Sequence, residues 1–198
     1  MTLTRMIPSL RATLPDPLLV DSWPEATFAT TTDVVVSGIS LLRLVEVCGT
    51  PCVHSGAAVI PRTDGRPSPT LRTAVLVVRI TRAELHHSGK LIVETDARLD
   101  DLRLVWSEAR LIDRASTAHS GTVLVAISPV DPDLTGTASA CSTELPLDLR
   151  PGDLLAIPSL PIATSWALRP HPLTGTFETS PSEPALVDDQ PTWLSRLE

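Results

Sequence analysis

Hydrophobic and polar positions alternate with a strand period over much of the middle of the chain. Residues 74–80 form a Val-rich run that predicts a strand at the centre of a sheet. The turn residues His86, His87, Ser88 and Gly89 follow, and 90–94 returns as the next strand. In 102–113, Leu102, Leu104 and Trp106 alternate, which predicts a strand, although the stretch would also pass for a helix. Further strands are expected at 34–36, 52–54, 122–127, 138–141 and 154–157, the last launched by a turn at 149–153. One short helix interrupts them. Ser40 is a suitable N-cap, Leu41, Leu44 and Val45 share one face, and Gly49 sits where a helix stops. The pattern predicts an all-β fold: a single Greek-key-like β-barrel with one short helix and irregular Pro-rich ends.

Proline marks the boundaries. Pro8, Pro15, Pro17 and Pro24 break residues 1–32 into an irregular arm, with Trp23 expected to anchor it. The barrel is placed at 33–168, residues 61–72 read as a linker by composition, and 169–198 as a Pro-rich tail.

Composition narrows the chemistry. The chain has 198 residues, four Trp, two Phe and no Tyr, so its core must be aliphatic. A net charge of −7 argues against nucleic-acid binding, which needs a basic stripe. No apolar run has membrane-spanning length, and no signal-peptide core opens the chain; a cytoplasmic protein is expected. Three cysteines, Cys48, Cys52 and Cys141, do not form a disulfide framework, and no second Cys/His pair completes a metal site. His54, His86 and His87 have no visible nucleophile partner. Asp96, Asp100, Asp101 and Arg103 cluster on one loop, either as a solvated loop or as a site for an anionic or zwitterionic ligand. Asp131 and Asp133 lie in a Pro-rich turn with too few ligands for calcium.

Three segments in order resemble the fold-type III pyridoxal phosphate decarboxylases, above all the diaminopimelate decarboxylases. Trp23-Pro24, the stretch 34–41 and Gly49-Thr50-Pro51 are similar to the family's N-terminal strand, short helix and Gly-Thr-Pro strand. Residues 91–110 resemble its V-D-G-G-x-x-D-x-x-R-P-x-L-Y-G-A-R segment, with Asp100, Arg103, Ala109 and Arg110 in matching places. Residues 144–158 (ELPLDLRPGDLLAIP) are close to the segment before its last strands.

The departures limit what the resemblance implies. Family members carry a (β/α)8 barrel where this chain has residues 61–72, and that barrel holds the cofactor-bearing lysine and the phosphate loop. Lys90, the only lysine, is expected at a turn in the β domain and does not replace it. The family's H-C-E-S-G-D motif falls on residues 132–137, so Asp133 stands in place of its catalytic cysteine and Leu134 in place of its glutamate. Its tyrosines fall at Ser107 and near Ala163. Arg103 remains, and the resemblance implies that it faces the substrate carboxylate region. The expected site therefore has Asp100 and Asp133 as acid–base residues and Arg103, Asp101 and Trp106 as ligand contacts, with no cofactor and no metal. Two functions follow: a small-molecule protein without pyridoxal phosphate chemistry, binding or converting its ligand, or a non-catalytic subunit that meets a protein partner through the face left by the missing barrel. A homodimer is expected, without membrane or nucleic-acid partners.

Overall fold

The computed structural model describes residues 3–86, 89–100, 102–127 and 140–159. These residues are mainly β. A 19-residue strand, β5 (Pro67–Leu85), is the spine. β4 (Cys52–Val59) and β10 (Leu154–Ser159) flank its first part on opposite edges, both antiparallel. From Ile80 onward β6 (Leu91–Thr95) takes over as its neighbour. β6 then pairs in parallel with β8 (Ser120–Ala126), β8 pairs antiparallel with β9 (Ala140–Pro146), and β7 (Arg110–Ile112) lies beyond β10. The order is β7-β10-β5-β6-β8-β9, with β4 on β5. This mixed seven-stranded sheet curls into a half-barrel. A second, three-stranded sheet is made of β1 (Thr27–Ala29), β2 (Val34–Val36) and β3 (Ile39–Ser40).

The exchange of partners along β5 has a local cause. The register shifts between Ile80 and Arg82, so Thr81 is the extra residue of a bulge, and bulges bend and twist a strand. At the same point the Arg79 amide donates to Asp96 Oδ1 at 2.8 Å and the Asp96 amide donates back to Arg79 O at 3.0 Å. Asp96 thus pairs the backbone at the handover to β6, a structural role that the acidic-loop reading did not distinguish.

The Val-rich run of β5 does not alternate because both of its faces are buried. Leu76, Val78 and Ile80 face a core inside the curl with Val93, Val123, Val125, Leu155 and Ile157. Val75 and Val77 face a second core with Trp23, Val34, Val36, Leu41 and Val45. The small sheet and the helix α2 (Leu41–Cys48) cover that second face. The helix forms as its sequence predicts. Ser40 Oγ accepts from the Arg43 amide at 3.0 Å and donates to Asp33 Oδ2 at 2.6 Å, and the Gly49 amide closes on Val45 O at φ +75°.

Three expectations change. Residues 102–113 are not one strand: Leu104 makes a lone bridge to Ser159, Trp106–Glu108 is a 3-10 turn, and only Arg110–Ile112 is strand. The turn brings Glu108 round to the arm, whose polar groups it satisfies. In place of a 61–72 linker, Ile60 and Arg66 close a turn and Pro67 opens β5. Pro67 and Pro69 are tolerated there because that end of the strand is exposed and sparsely paired. The arm is more ordered than its prolines suggest, with a one-turn helix α1 (Leu3–Met6), 3-10 turns at Pro8–Ala12 and Val20–Ser22, and β1. Trp23 anchors it as expected, fully buried in the second core.

Candidate seam cleft

β7 and β9 are the two ends of the sheet order, and both line one cleft of about 630 Å³. The arm crosses this seam. Arg11, at the end of the Pro8–Ala12 turn, is buried; its Nη1 donates to Ala118 O at 2.8 Å, its Nη2 to Ser120 Oγ at 2.7 Å, and its Nε lies 3.3 Å from Asp16 Oδ2. That Nε contact is close enough for an ion pair but not aligned for a hydrogen bond, so Arg11 Nε and Asp16 Oδ1 are buried without hydrogen-bond partners. Charge attraction tolerates such misalignment, and the contact is an ion pair.

Arg110 reaches across from β7. Its Nη1 donates to Asp16 O at 2.8 Å and its Nη2 to Pro17 O, while its Nε has no partner. Its counter-ion Glu108 is 3.7 Å away and already accepts from the Leu19 amide at 3.0 Å and the Trp23 indole at 2.9 Å, both on Oε2. Burial pulls the Arg110 guanidinium below the ordinary arginine range, against the upward pull of Glu108 and Asp16. The rest of the lining mixes hydroxyls such as Thr31, Ser107, Thr122 and Ser142 with apolar Val34, Leu111 and Leu145.

At the far end of β7, Arg114 is saturated. It makes a bidentate pair with Asp153, Nε to Oδ1 at 2.9 Å and Nη2 to Oδ2 at 2.7 Å, and a further bond from Nη1 to Asp148 Oδ2 at 2.9 Å. The Asp153 hydrogen bonds raise its pKa above the ordinary arginine value, outweighing burial. This cluster ties β7 to the β9–β10 turn.

The residues singled out by sequence lie elsewhere. Arg103 is exposed and, among the described residues, has no hydrogen bond or ion pair. Asp100 Oδ2 accepts from Arg98 Nη2 at 3.0 Å, so the guanidinium beside it is Arg98. Trp106 packs partly buried against the inner core, its carbonyl accepting from Thr143 Oγ1 at 2.6 Å. None of the three lines the seam cleft or the smaller cavity of about 280 Å³ beside Trp23 and Gly65. Asp101, Asp131, Asp133 and His87 lie outside the described residues, as does the 132–137 segment. Lys90 is exposed beside the Gly89 turn. Cys52 is buried, and its burial, with Cys48 and Asp96 nearby, pushes its thiol up to about 11; a thiol so shifted is a poor nucleophile at neutral pH. Sequence reasoning missed Arg11, Asp16 and Glu108 as a group. The available signal was the pair of charges bracketing Ala109 inside an otherwise apolar alternation.

Fold and site together define a mainly β protein with an arginine-bearing cleft between the two ends of its sheet order among the described residues. No protein-family model matches the chain, and no curated protein matches it. Among the described residues, no three or more His, Cys, Asp or Glu side chains are placed to hold a metal ion, and no helix is long and apolar enough to cross a membrane.

Proposed function

We propose that this chain forms a β domain of the decarboxylase-like kind, a Greek-key-like barrel without pyridoxal phosphate chemistry, that binds a small molecule in the seam cleft. The observation that carries this reading is the cleft itself. It has about 630 Å³, a volume ordinary for a metabolite site, between two sheet ends, and its lining includes the buried Arg11 of the arm, the half-buried Arg110 and Glu108, and the buried Thr143 hydroxyl. Conversion of the ligand, if the site performs it, belongs to cofactor-independent acid–base or cyclisation chemistry, for which the cleft supplies carboxylates. Lys90 is exposed at a turn and does not line the cleft, so it is not placed to hold a cofactor there. The protein is placed in the cytoplasm on this reading.

A native mass spectrum of the purified protein is expected to show a carried small molecule, lost in Thr122→Trp, which fills the cleft from an exposed position. Incubation with pyridoxal phosphate should give no bound-cofactor absorbance. A ligand-free spectrum that no metabolite mixture changes, or a borohydride-trapped adduct on Lys90, would overturn the reading.

The accessory-subunit reading has separate support. Phe28, Ile39 and Val47, on β1, β3 and α2, are 55%, 44% and 71% exposed, and soluble chains tend to cover such side chains with a partner.

A further inference from the structure

The segment of arm that crosses the seam is pinned at both ends and loose between them. Arg11 and Trp23 are buried, yet none of residues 12–22 is, and residues 15–19 have no regular structure. Few buried contacts mean a low local free energy of opening. The middle of this strap is held by Arg110, which donates to the Asp16 and Pro17 carbonyls, by the Leu19 amide on Glu108, by the Arg11–Asp16 ion pair and by Leu18, which packs partly buried against the second core.

Arg110 is poorly served by that arrangement. A largely buried guanidinium is stabilised best by a forked anionic acceptor. Here it has two neutral carbonyls, an Nε with no partner, and a carboxylate 3.7 Å away that two other donors already use. The Nε is buried, and the strap carbonyls of Asp16 and Pro17 take the two Nη groups beside it.

Resting on the small-molecule reading above, we propose that Arg110 is the anchor for a ligand carboxylate, which replaces the Asp16 and Pro17 carbonyls and displaces the strap. The cleft also contains Asp16, Asp33, Glu108 and Glu144, so a singly charged carboxylate is repelled less than a doubly charged phosphate. The apolar part of the lining, with Leu111 and Leu145, would take the ligand's hydrocarbon body. The strap is then a built-in competitor: bound, it covers the cleft and occupies Arg110; released, it opens both.

The test uses the full chain with 4-phenylbutyrate, its neutral amide and inorganic phosphate, titrated by calorimetry. The carboxylate should bind about tenfold or more tightly than the amide, the loss expected for one charge-assisted contact. Arg110→Gln should erase that difference and Arg110→Lys restore part of it. Because Arg110→Gln could fail to fold, hydrogen exchange of the wild-type chain supplies a second readout. Adding 4-phenylbutyrate should speed exchange in a peptide covering residues 12–22 while leaving β5 protected. Equal binding of acid and amide would sink the anchor and leave the small-molecule reading standing. No binding by either, together with a ligand-free native spectrum, would sink both. Preference for phosphate, or strap exchange that slows or stays constant on binding, also overturns the proposal.

Discussion

At the scale of single residues, Gly56 is a position where the side chain must be absent. A Cβ there would lie 2.9 Å from Pro24 Cβ and 3.3 Å from Ser37 Oγ. Pro24 cannot yield, because it bridges Ala58 on β4 and the next amide, Glu25, donates to Ala57 O at 2.9 Å. Gly56→Ala should therefore lever the Trp23-Pro24 anchor off β4 and destabilise the protein by about 1–3 kcal/mol, the usual cost of overpacking. Thermal unfolding would show this as a clear drop in midpoint, and an unchanged midpoint would mean that the arm moves aside at no cost. The close approach was not legible in the sequence, where Gly56 is one residue of a small-residue run. Trp23 was legible as the anchor because a large aromatic beside Pro24 in an irregular arm favours burial, although Phe28 in the same arm stays 55% exposed. The partner of Asp100 was not: the sequence offered Arg103 as its neighbour, but it is Arg98, two residues before it, that reaches Asp100.

At the scale of elements, the Arg114 cluster holds β7 to the turn between β9 and β10. Asp153 is buried and accepts Arg114 through both oxygens, and its Oδ2 also accepts the Arg150 amide at 3.0 Å. Removing one partner leaves a buried charge uncompensated, which costs about 3–5 kcal/mol in fully buried pairs. The Arg114 side chain is 22% exposed, so solvent screens part of this, and Arg114→Ala should cost about 2–3 kcal/mol. Asp148 adds a pH signature. Burial pushes its carboxyl up, yet the Ser116 hydroxyl and the Arg114 guanidinium outweigh that and hold it below its ordinary value of 3.8. A depressed acid stabilises the fold above its unfolded pKa, and that contribution disappears as pH falls through the lower folded value. The stability gap between wild type and Arg114→Ala, from urea unfolding, should be largest near pH 7 and narrow below about pH 3.8. A gap that widens on acidification would contradict the ion-pair account. The elements themselves divided by the kind of signal they carry. Helix α2 was readable because its cap, face and stop are local. The strand predicted over 102–113 broke into a bridge, a 3-10 turn and β7, because satisfying the arm's indole and amide with Glu108 is a long-range demand.

At the scale of the whole molecule, the half-barrel leaves surface that invites a second chain. Phe28, Ile39 and Val47 stay exposed while the opposite faces of their elements are packed. We expect a homodimer by light scattering at tens of micromolar, with Phe28→Glu shifting it toward monomer. A monomer at all concentrations would remove the support for the partner-binding reading. The sequence by itself determined that the chain is β-rich, that β5 is its centre, that one short helix sits between Ser40 and Gly49, and that Trp23 is an anchor. Those features follow from apolar periodicity and local caps, which a chain carries wherever it folds. Only the tertiary structure decided that β5 has a separate core on each face, that β7 and β9 meet across an open seam, and that Arg11, Asp16, Glu108 and Arg110 converge there. Their partners are about a hundred residues away along the chain, and burial of charge is settled by which distant groups arrive to share it.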